Sequence, residues 1–238
     1  MKRRERELEQ KNELIDTLGA KVDEIDVTIR KANWPRFYPV MYHDIPADIL
    51  DETRRKHVRS AYILWMCTAV SYIWNFLLVL IAFTAGVSDQ VQNNSVMAFV
   101  WQFVLVLTGP SFSLFFWYRA IYNAARIEGA TPSMQYWWFF FHFTIHTIVM
   151  ILCFVGIFFN NGGIISMINA FGNEDVGATW GIMFLSSALL WGLIALASGF
   201  LLVMVFRYYK TNGGKNPSRK DVEKNALIGG AEAASQAY

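Results

Sequence analysis

The chain has 238 residues, of which 54% are hydrophobic and 17% are charged. Soluble domains usually carry about 25% charged residues, so this composition and a mean hydropathy of +0.28 argue against an ordinary water-soluble enzyme. The chain is too short for most transporter folds. Its formal net charge of only +2 gives no sign of a nucleic-acid partner.

Gaps in the charge pattern predict four transmembrane helices. Asp, Glu, Lys and Arg are missing from residues 60–88, 90–118, 129–173 and 176–206. Each gap contains the roughly 20 apolar residues that cross a hydrocarbon core. The predicted spans cover residues 60–86, 95–118, 136–159 and 180–206, and the predicted fold class is an all-α integral membrane protein with a bundle of four transmembrane helices.

Lysine and arginine lie on one side of these spans. Thirteen precede the first span, two lie between the second and the third, and six follow the fourth, which accounts for all 21. Because cytoplasmic loops are enriched in Lys and Arg, we expect both termini, the loop at 119–135 and the tail at 207–238 to be cytoplasmic. The loop at 160–179 is then lumenal.

The first 31 residues predict an amphipathic, coiled-coil-like helix. Apolar residues recur at heptad positions over about three heptads, although Lys11 breaks the series and Gly19 weakens the helix. The seam consists of Leu8, Ile15, Leu18, Val22, Ile25 and Ile29. Three heptads are marginally stable alone, so two interpretations stay open: the helix pairs with itself or a partner, or it lies alone on the membrane.

Residues 32–59 predict a strap in the headgroup layer that precedes the first span. Pro35, Pro39 and Pro46 exclude a continuous helix, and the interleaved aromatic and basic residues favour the membrane interface. A basic cluster ends the strap, and each of its residues gains about 1 kcal/mol near anionic lipid: Arg54, Arg55, Lys56 and Arg59. The simpler alternative is ordinary positive-inside anchoring.

The end of the second span combines interfacial aromatic residues with arginine. Trp117, Tyr118 and Tyr122 are predicted to anchor at the headgroup layer. Arg119 and Arg126 lie seven residues apart and share a helix face, where their guanidinium groups would meet lipid phosphates. With the basic cluster they predict a composite surface for anionic phosphoinositides. In the alternative interpretation both arginines only fix the topology.

Two motifs carry a resemblance to a known family. Residues 116–126 read FWYRAIYNAAR, which resembles the C-W-Y-R-P-I-Y-K-A-F-R segment of the secretory carrier-associated membrane proteins, or SCAMPs. In the strap, Asn33-Trp34-Pro35, Phe37-Tyr38-Pro39 and His43-Asp44-Ile45 are similar to the family's N-W-P-P-F-x-P and H-D-I sequences. The order of charged coil, strap, four spans and tail also matches, over about residues 6–215.

This resemblance implies a non-enzymatic trafficking protein of secretory and recycling vesicles. Such a protein acts in exocytosis and endocytosis through cytosolic trafficking proteins and phosphoinositides, in Golgi, endosomal, secretory-vesicle and plasma membranes. Ala120, Asn123 and Ala125 replace the family's Pro, Lys and Phe, which makes the segment less basic and less rigid. The chain contains no Asn-Pro-Phe sequence, so we expect no recruitment of EH-domain adaptors through that motif.

Two histidines in the third span, His142 and His146, share one helix face. A metal ion would need further ligands, and no span contains Asp or Glu. We therefore expect no metal or other cofactor. The histidines are predicted instead to form hydrogen bonds between helices, with partners among Asn75, Gln102 and Thr108.

Smaller features complete the expectations within and beside the spans. Pro110 should kink the second span, and the pairs Ala188/Gly192 and Ala195/Gly199 permit close approach or self-association of the fourth. Cys67 and Cys153 lie in spans and are assigned to packing. The sequon at Asn93 lies close to the second span, so we expect it to be unused.

The tail contains one short sorting pattern and no sign of catalysis. Glu223, Leu227 and Ile228 fit an acidic dileucine signal, for which chance matches are frequent. The chain has no catalytic triad pattern, phosphate loop or nucleotide fingerprint, and we expect no enzyme activity. The alternative function is a small four-span channel or transporter subunit, which the lack of charged residues within the spans disfavours.

Overall fold

The computed structural model describes residues 32–34, 39, 41–92, 95–126, 133–157 and 162–213. Within these ranges the regular secondary structure is helical apart from an isolated antiparallel bridge between Trp34 and Met41. The helices are α1 (Ile45–Asp48), α2 (Glu52–Thr84), α3 (Ser88–Val91), α4 (Ser95–Ser113), α5 (Arg119–Arg126), α6 (Ser133–Val155), α7 (Ile164–Gly172) and α8 (Ala178–Tyr208). Two π-helical turns, Leu114–Tyr118 and Tyr209–Gly213, continue α4 and α8.

Four of these helical segments are long and apolar enough to cross a membrane, as the charge gaps predict. They run over Glu52–Thr84, Ser95–Arg126, Met134–Val155 and Ala178–Thr211. The largest differences from the predicted bounds are in the first two: the first begins eight residues before residue 60, and the second continues eight residues beyond Tyr118 as α5. The chain is therefore an all-helical membrane protein with four candidate spans.

The first span begins earlier than its apolar sequence does. Asp51 caps α2, because its side chain accepts a hydrogen bond of 2.6 Å from the backbone N–H of Arg54. This cap extends the helix through the basic cluster, so that Arg54, Arg55, Lys56 and Arg59 lie on helical turns. The prediction assigned these residues to the strap.

The buried face of α2 is more polar than its exposed face. Thr68, Ser71 and Asn75 are buried at helical spacing, whereas Ile63, Val70 and Ile73 are about half exposed. In a water-soluble protein, a helix would bury its aliphatic residues and expose its polar ones. Small and polar residues between helices, with aliphatic residues outside, are typical of a bundle that lipid surrounds.

The long helices pack against one another and against α5. Helix α2 contacts both α4 and α8, α8 also contacts α6, and α5 packs between α2 and α6 at one end. Glycine permits two of these contacts: Gly109 of α4 lies against the ring of Tyr72, and Gly192 of α8 lies against the ring of Phe154. Gly199, from the second predicted small-residue pair, has no neighbour within 4 Å at its Cβ position.

A buried asparagine joins three parts of the bundle. The Asn75 side-chain amide donates to Gln102 Oε1 of α4 at 2.6 Å. Its Oδ1 accepts from Ser187 Oγ of α8 at 2.9 Å and from the backbone N–H of Gly162 at 3.0 Å. All three side chains are almost fully buried. Asn75 therefore fixes the positions of two helices and a loop relative to α2.

The opposite end of the bundle from α5 carries the short helices α3 and α7. Ile164, Ile165, Ile168 and Phe171 all lie in α7. Ser166 and Ala170 face inward, and Asn169 donates to the Val91 carbonyl of α3 at 3.0 Å. Leu78, Ala82, Val91, Ala170, Val176 and Phe184 form the apolar core at this end.

Candidate functional site

The predicted lipid-binding segment begins at a distortion of the second span. Pro110 has no backbone N–H and interrupts the hydrogen-bond ladder of α4, and the π turn Leu114–Tyr118 follows four residues later. The indole N–H of Trp65 donates to the Pro110 carbonyl at 2.9 Å. A side chain of the first span thus bonds the chain at the proline, and π turns such as the one that follows are frequent at functional sites. The kink at Pro110 stays a prediction.

The three aromatic residues of this segment are buried in the bundle. Trp117 is 2% exposed, and Tyr118 and Tyr122 are 0% and 1% exposed. The Trp117 ring lies 4.8 Å from that of Phe143, and the Tyr118 ring lies 5.8 Å from that of Tyr62. This burial corrects the expectation that the rings anchor at the headgroup layer. They hold the second span against α2 and α6 instead.

The Arg119–Arg126 segment has one buried and one accessible side. Ala120, Ile121, Tyr122, Ala124 and Ala125 are buried, whereas Arg119 is exposed and Arg126 is partly exposed. Small side chains at positions 120 and 125 suit this close packing. The two arginines therefore differ in accessibility although they are seven residues apart.

Three of the four residues in the basic cluster have partners within the chain. Arg54 Nε donates to the Tyr208 hydroxyl at 2.8 Å, and its guanidinium carbon lies 5.9 Å from the centre of the Tyr208 ring. Arg55 Nε donates to the Ile49 carbonyl at 2.9 Å, and Lys56 pairs with Glu52 at 2.8 Å. These contacts give three residues of the cluster a role within the folded chain, apart from any contact with lipid.

Of the arginines predicted to contact lipid, the exposed ones that remain among the described residues are Arg59 and Arg119, and they lie at the same end of the bundle. Arg59 is one turn from Tyr62, whose ring is 5.8 Å from the ring of Tyr118, and Tyr118 precedes Arg119 in the chain. The aromatic contact between α2 and the π turn therefore places these two arginines on adjacent helices. This shared location could not be predicted from the spacing of the two arginines in the sequence, because they belong to different helices.

The histidines of the third span do not make the predicted hydrogen bonds. His142 Nδ1 lies 2.9 Å from the Trp138 carbonyl of its own helix. His146 is buried beside Trp117, and its Nε2 has no hydrogen-bond partner in the part of the chain that the structure describes. The interhelical bonds expected of these rings are made by Asn75, which the sequence suggested only as a partner, while Thr108 bonds its own helix at Val104.

Comparison with known proteins decides the family. The sequence model of a family described as the SCAMP family matches residues 31–212. That range contains the strap, all four candidate spans and the Arg119–Arg126 segment. The chain belongs to the SCAMP family.

Individual SCAMPs are similar over most of the chain. Secretory carrier-associated membrane protein 2 of Oryza sativa subsp. japonica is 27% identical over 207 residues, which cover 84% of this chain and 67% of the relative. Secretory carrier-associated membrane protein 5 of Arabidopsis thaliana is 24% identical over 203 residues, covering 84% and 66%. No solved structure matches. These names describe membrane proteins of secretory carriers, not enzymes.

The two halves of the SCAMP-like strap motif bond to each other. The Asn33 side chain donates to the His43 carbonyl at 3.2 Å and accepts from the His43 N–H at 2.7 Å. The Trp34 and His43 rings lie 5.2 Å apart, and burial lowers the pKa of His43 below its usual value. Asp44 then accepts from the Ala47 N–H at 3.1 Å and caps α1. The motif residues Asn33 and Trp34 are thus joined to His43.

Several predicted features of this SCAMP lie outside the described residues. These are the coil seam at 1–31, the sorting pattern with Glu223, Leu227 and Ile228, and the sequon residue Asn93. Cys67 and Cys153 are free thiols, the first exposed and the second buried. The coil and the sorting signal stay predictions.

Proposed function

We propose that this SCAMP is a non-enzymatic trafficking protein of secretory and recycling vesicles, acting in exocytosis and endocytosis through cytosolic partners and anionic phosphoinositides. The observation that carries the proposal is the family match over residues 31–212, which includes the segment that presents Arg119. The compartments proposed are Golgi, endosomal and secretory-vesicle membranes and the plasma membrane. The partner-binding elements proposed are the coil seam, the fourth span as a self-association surface, and the dileucine pattern.

The proposed topology places both termini and the connection between the second and third spans in the cytoplasm. Lys and Arg concentrate before the first span, between the second and third, and after the fourth. The bond between Arg54 and Tyr208 brings the start of the first span and the end of the fourth to the same end of the bundle. The Arg119–Arg126 segment packs at that end as well.

Protease protection tests this topology. With sealed vesicles whose cytoplasmic side faces outward, added protease should remove epitopes placed before Met1 and after Tyr238, while an epitope inserted at Gly172–Asn173 stays protected until detergent is added. A terminal epitope that survives intact vesicles would contradict the topology.

The lipid surface is proposed at Arg59 and Arg119. Both side chains are exposed, and the contact between Tyr62 and Tyr118 places them on adjacent helices at one end. Guanidinium groups bind phosphate through two parallel hydrogen bonds. Phosphoinositides carry several phosphates on one ring, so one headgroup suits a pair of arginines from neighbouring helices.

Replacing Arg59 and Arg119 together by Ala should weaken phosphoinositide binding about thirtyfold, because each basic residue near anionic lipid contributes about 1 kcal/mol. The measurement is binding of a soluble inositol bisphosphate headgroup probe to the protein in phosphatidylcholine nanodiscs at low salt. Recycling of the variant in cells should slow while its membrane insertion is unchanged.

Two variants control this experiment. Lys56→Ala removes one positive charge from a residue that pairs with Glu52, and it should reduce binding by much less than the double variant. Arg59→Lys with Arg119→Lys keeps the charge but loses the bidentate geometry, so an intermediate loss is expected. Equal binding by the double Ala variant and the unmodified protein would assign both arginines to topology alone.

A further inference from the structure

A shallow groove opens between the third and fourth spans at the end of the bundle where Arg54 meets Tyr208. Its volume is about 300 Å³, and it is lined by Met134, Trp137, Phe140 and Tyr209. The first three belong to the start of α6, and Tyr209 begins the π turn that follows α8. Ligand sites begin at about this size.

Contacts among aromatic rings form the floor of the groove. Tyr209 lies 5.7 Å from Phe140, centre to centre, and 5.2 Å from Tyr136. Phe140 also packs against Phe206 at 5.7 Å. Tyr136 is buried in the bundle and Phe140 is partly buried, so the floor is packed against both spans. Met134 and Trp137, which are 73% and 59% exposed, form the outer wall.

The position of the groove places it just below the headgroup layer. Exposed Arg207 and Lys210 flank Tyr209 in the chain, and basic residues at the end of a span lie at the level of the headgroups. The apolar lining belongs to the first turns of α6 on the apolar side of that level. A molecule in the groove is therefore a component of the membrane.

The chemistry of the lining selects among membrane components. Among the described residues, the side chains that line the groove carry no formal charge, and Arg207 and Lys210 are not among them. The polar atoms of this lining are the Tyr209 hydroxyl and the Trp137 indole N–H. A phosphodiester would call for Arg or Lys in the lining, whereas one neutral hydroxyl is satisfied by a phenol and an indole. Trp137 also stacks on Phe141 with an interplanar angle of 2°, which presents a flat aromatic wall.

We propose that this groove binds a membrane sterol, with the sterol hydroxyl at Tyr209 and the ring system against Trp137 and Phe140. A rigid, flat ring system loses little conformational entropy on binding, unlike an acyl chain. The proposal does not depend on the trafficking function or on the phosphoinositide surface. It assigns a neutral lipid to a face of the bundle that Arg59 and Arg119 do not line.

Photolabelling of the full chain in phosphatidylcholine liposomes tests the proposal, using a photoreactive sterol that keeps its hydroxyl group. We expect labelled peptides to map to the start of α6 and to the segment around Tyr209, and excess unlabelled sterol to compete. Met134→Trp, which fills the groove at an exposed position, should lower labelling about tenfold, equivalent to about 1.4 kcal/mol. Tyr209→Phe should lower it less.

Phe200→Ala is the matched control, because Phe200 is an aromatic residue of the fourth span that is 69% exposed and distant from the groove lining. Its labelling should equal that of the unmodified chain. Equal labelling of Met134→Trp, with size-exclusion elution unchanged, would overturn the proposal. Competition by unlabelled anionic phospholipid and not by sterol would also overturn it, and would assign the groove to a phospholipid.

Discussion

Replacing Asn75 by Leu should lower the free energy of unfolding by about 2–5 kcal/mol, because three hydrogen bonds within the bundle are lost and their partners stay buried. The side chain of Asn75 bonds Gln102, Ser187 and the backbone of Gly162. Leu has nearly the same size but neither donates nor accepts. Thermal unfolding in detergent and unfolding by increasing fractions of SDS would both measure the loss.

Thr108→Val provides the comparison for Asn75. Thr108 is also a polar residue in a span, but its hydroxyl bonds the Val104 carbonyl of its own helix at 2.8 Å and its side chain is only partly buried. The variant should unfold at nearly the same temperature and SDS fraction as the unmodified protein. If Asn75→Leu were equally stable, the asparagine would not fix the helices, and the bundle would depend on apolar packing alone.

Of the substitutions that add a single methyl group, Gly163→Ala should be the most damaging. We expect it to lower the free energy of unfolding by about 3 kcal/mol and to reduce the yield of folded protein. A Cβ at this position would lie 2.5 Å from the Cys153 carbonyl oxygen and 2.5 Å from the Cα of Gly156. These are backbone atoms and cannot rotate away. The φ of −88° at Gly163 is accessible to any residue, so the loss would come from space alone.

Gly199→Ala separates this crowding from a general effect of glycine replacement. No atom lies within 4 Å of a Cβ built at Gly199, and Ala favours a helix over Gly by up to about 1 kcal/mol. This variant should therefore be as stable as the unmodified chain or more stable. Equal thermal unfolding of the Gly163 and Gly199 variants would show that the loop can move away from α6.

The four spans could be predicted from the sequence because a hydrocarbon core excludes charge at every position of a spanning helix. The missing charges identify each span whatever its neighbours are. The ends are harder to predict, since they depend on local contacts such as the cap that Asp51 gives to α2. The helix of Arg119–Arg126 was assigned to a loop because it carries charges, yet its alanines and Tyr122 are buried against other helices.

The candidate site was predicted less completely, because accessibility is a property of the fold. Trp117 and Tyr118 have the composition of interfacial anchors, and only the packing of α2 and α6 against them shows that they are buried. Arg54 has the same charge as Arg59, but the hydroxyl that binds it comes from Tyr208, 154 residues away. A polar residue inside an apolar span, such as Asn75, was the available signal for the network that joins the helices.

The π turn at Leu114–Tyr118 makes the length of the second span as important as its composition. Such a turn contains one residue more than an α-helical turn, and each residue rotates the chain by about 100°. If the turn became regular helix with all five of its residues kept, everything from Arg119 to Arg126 would rotate by that angle. Arg119 would leave its accessible position, and the small residues Ala120 and Ala125 would no longer face the neighbours that they fit. Deleting one of the five residues should instead be tolerated, because four residues of regular helix complete about the same rotation. Related chains should therefore have either the π turn or one residue fewer in this stretch.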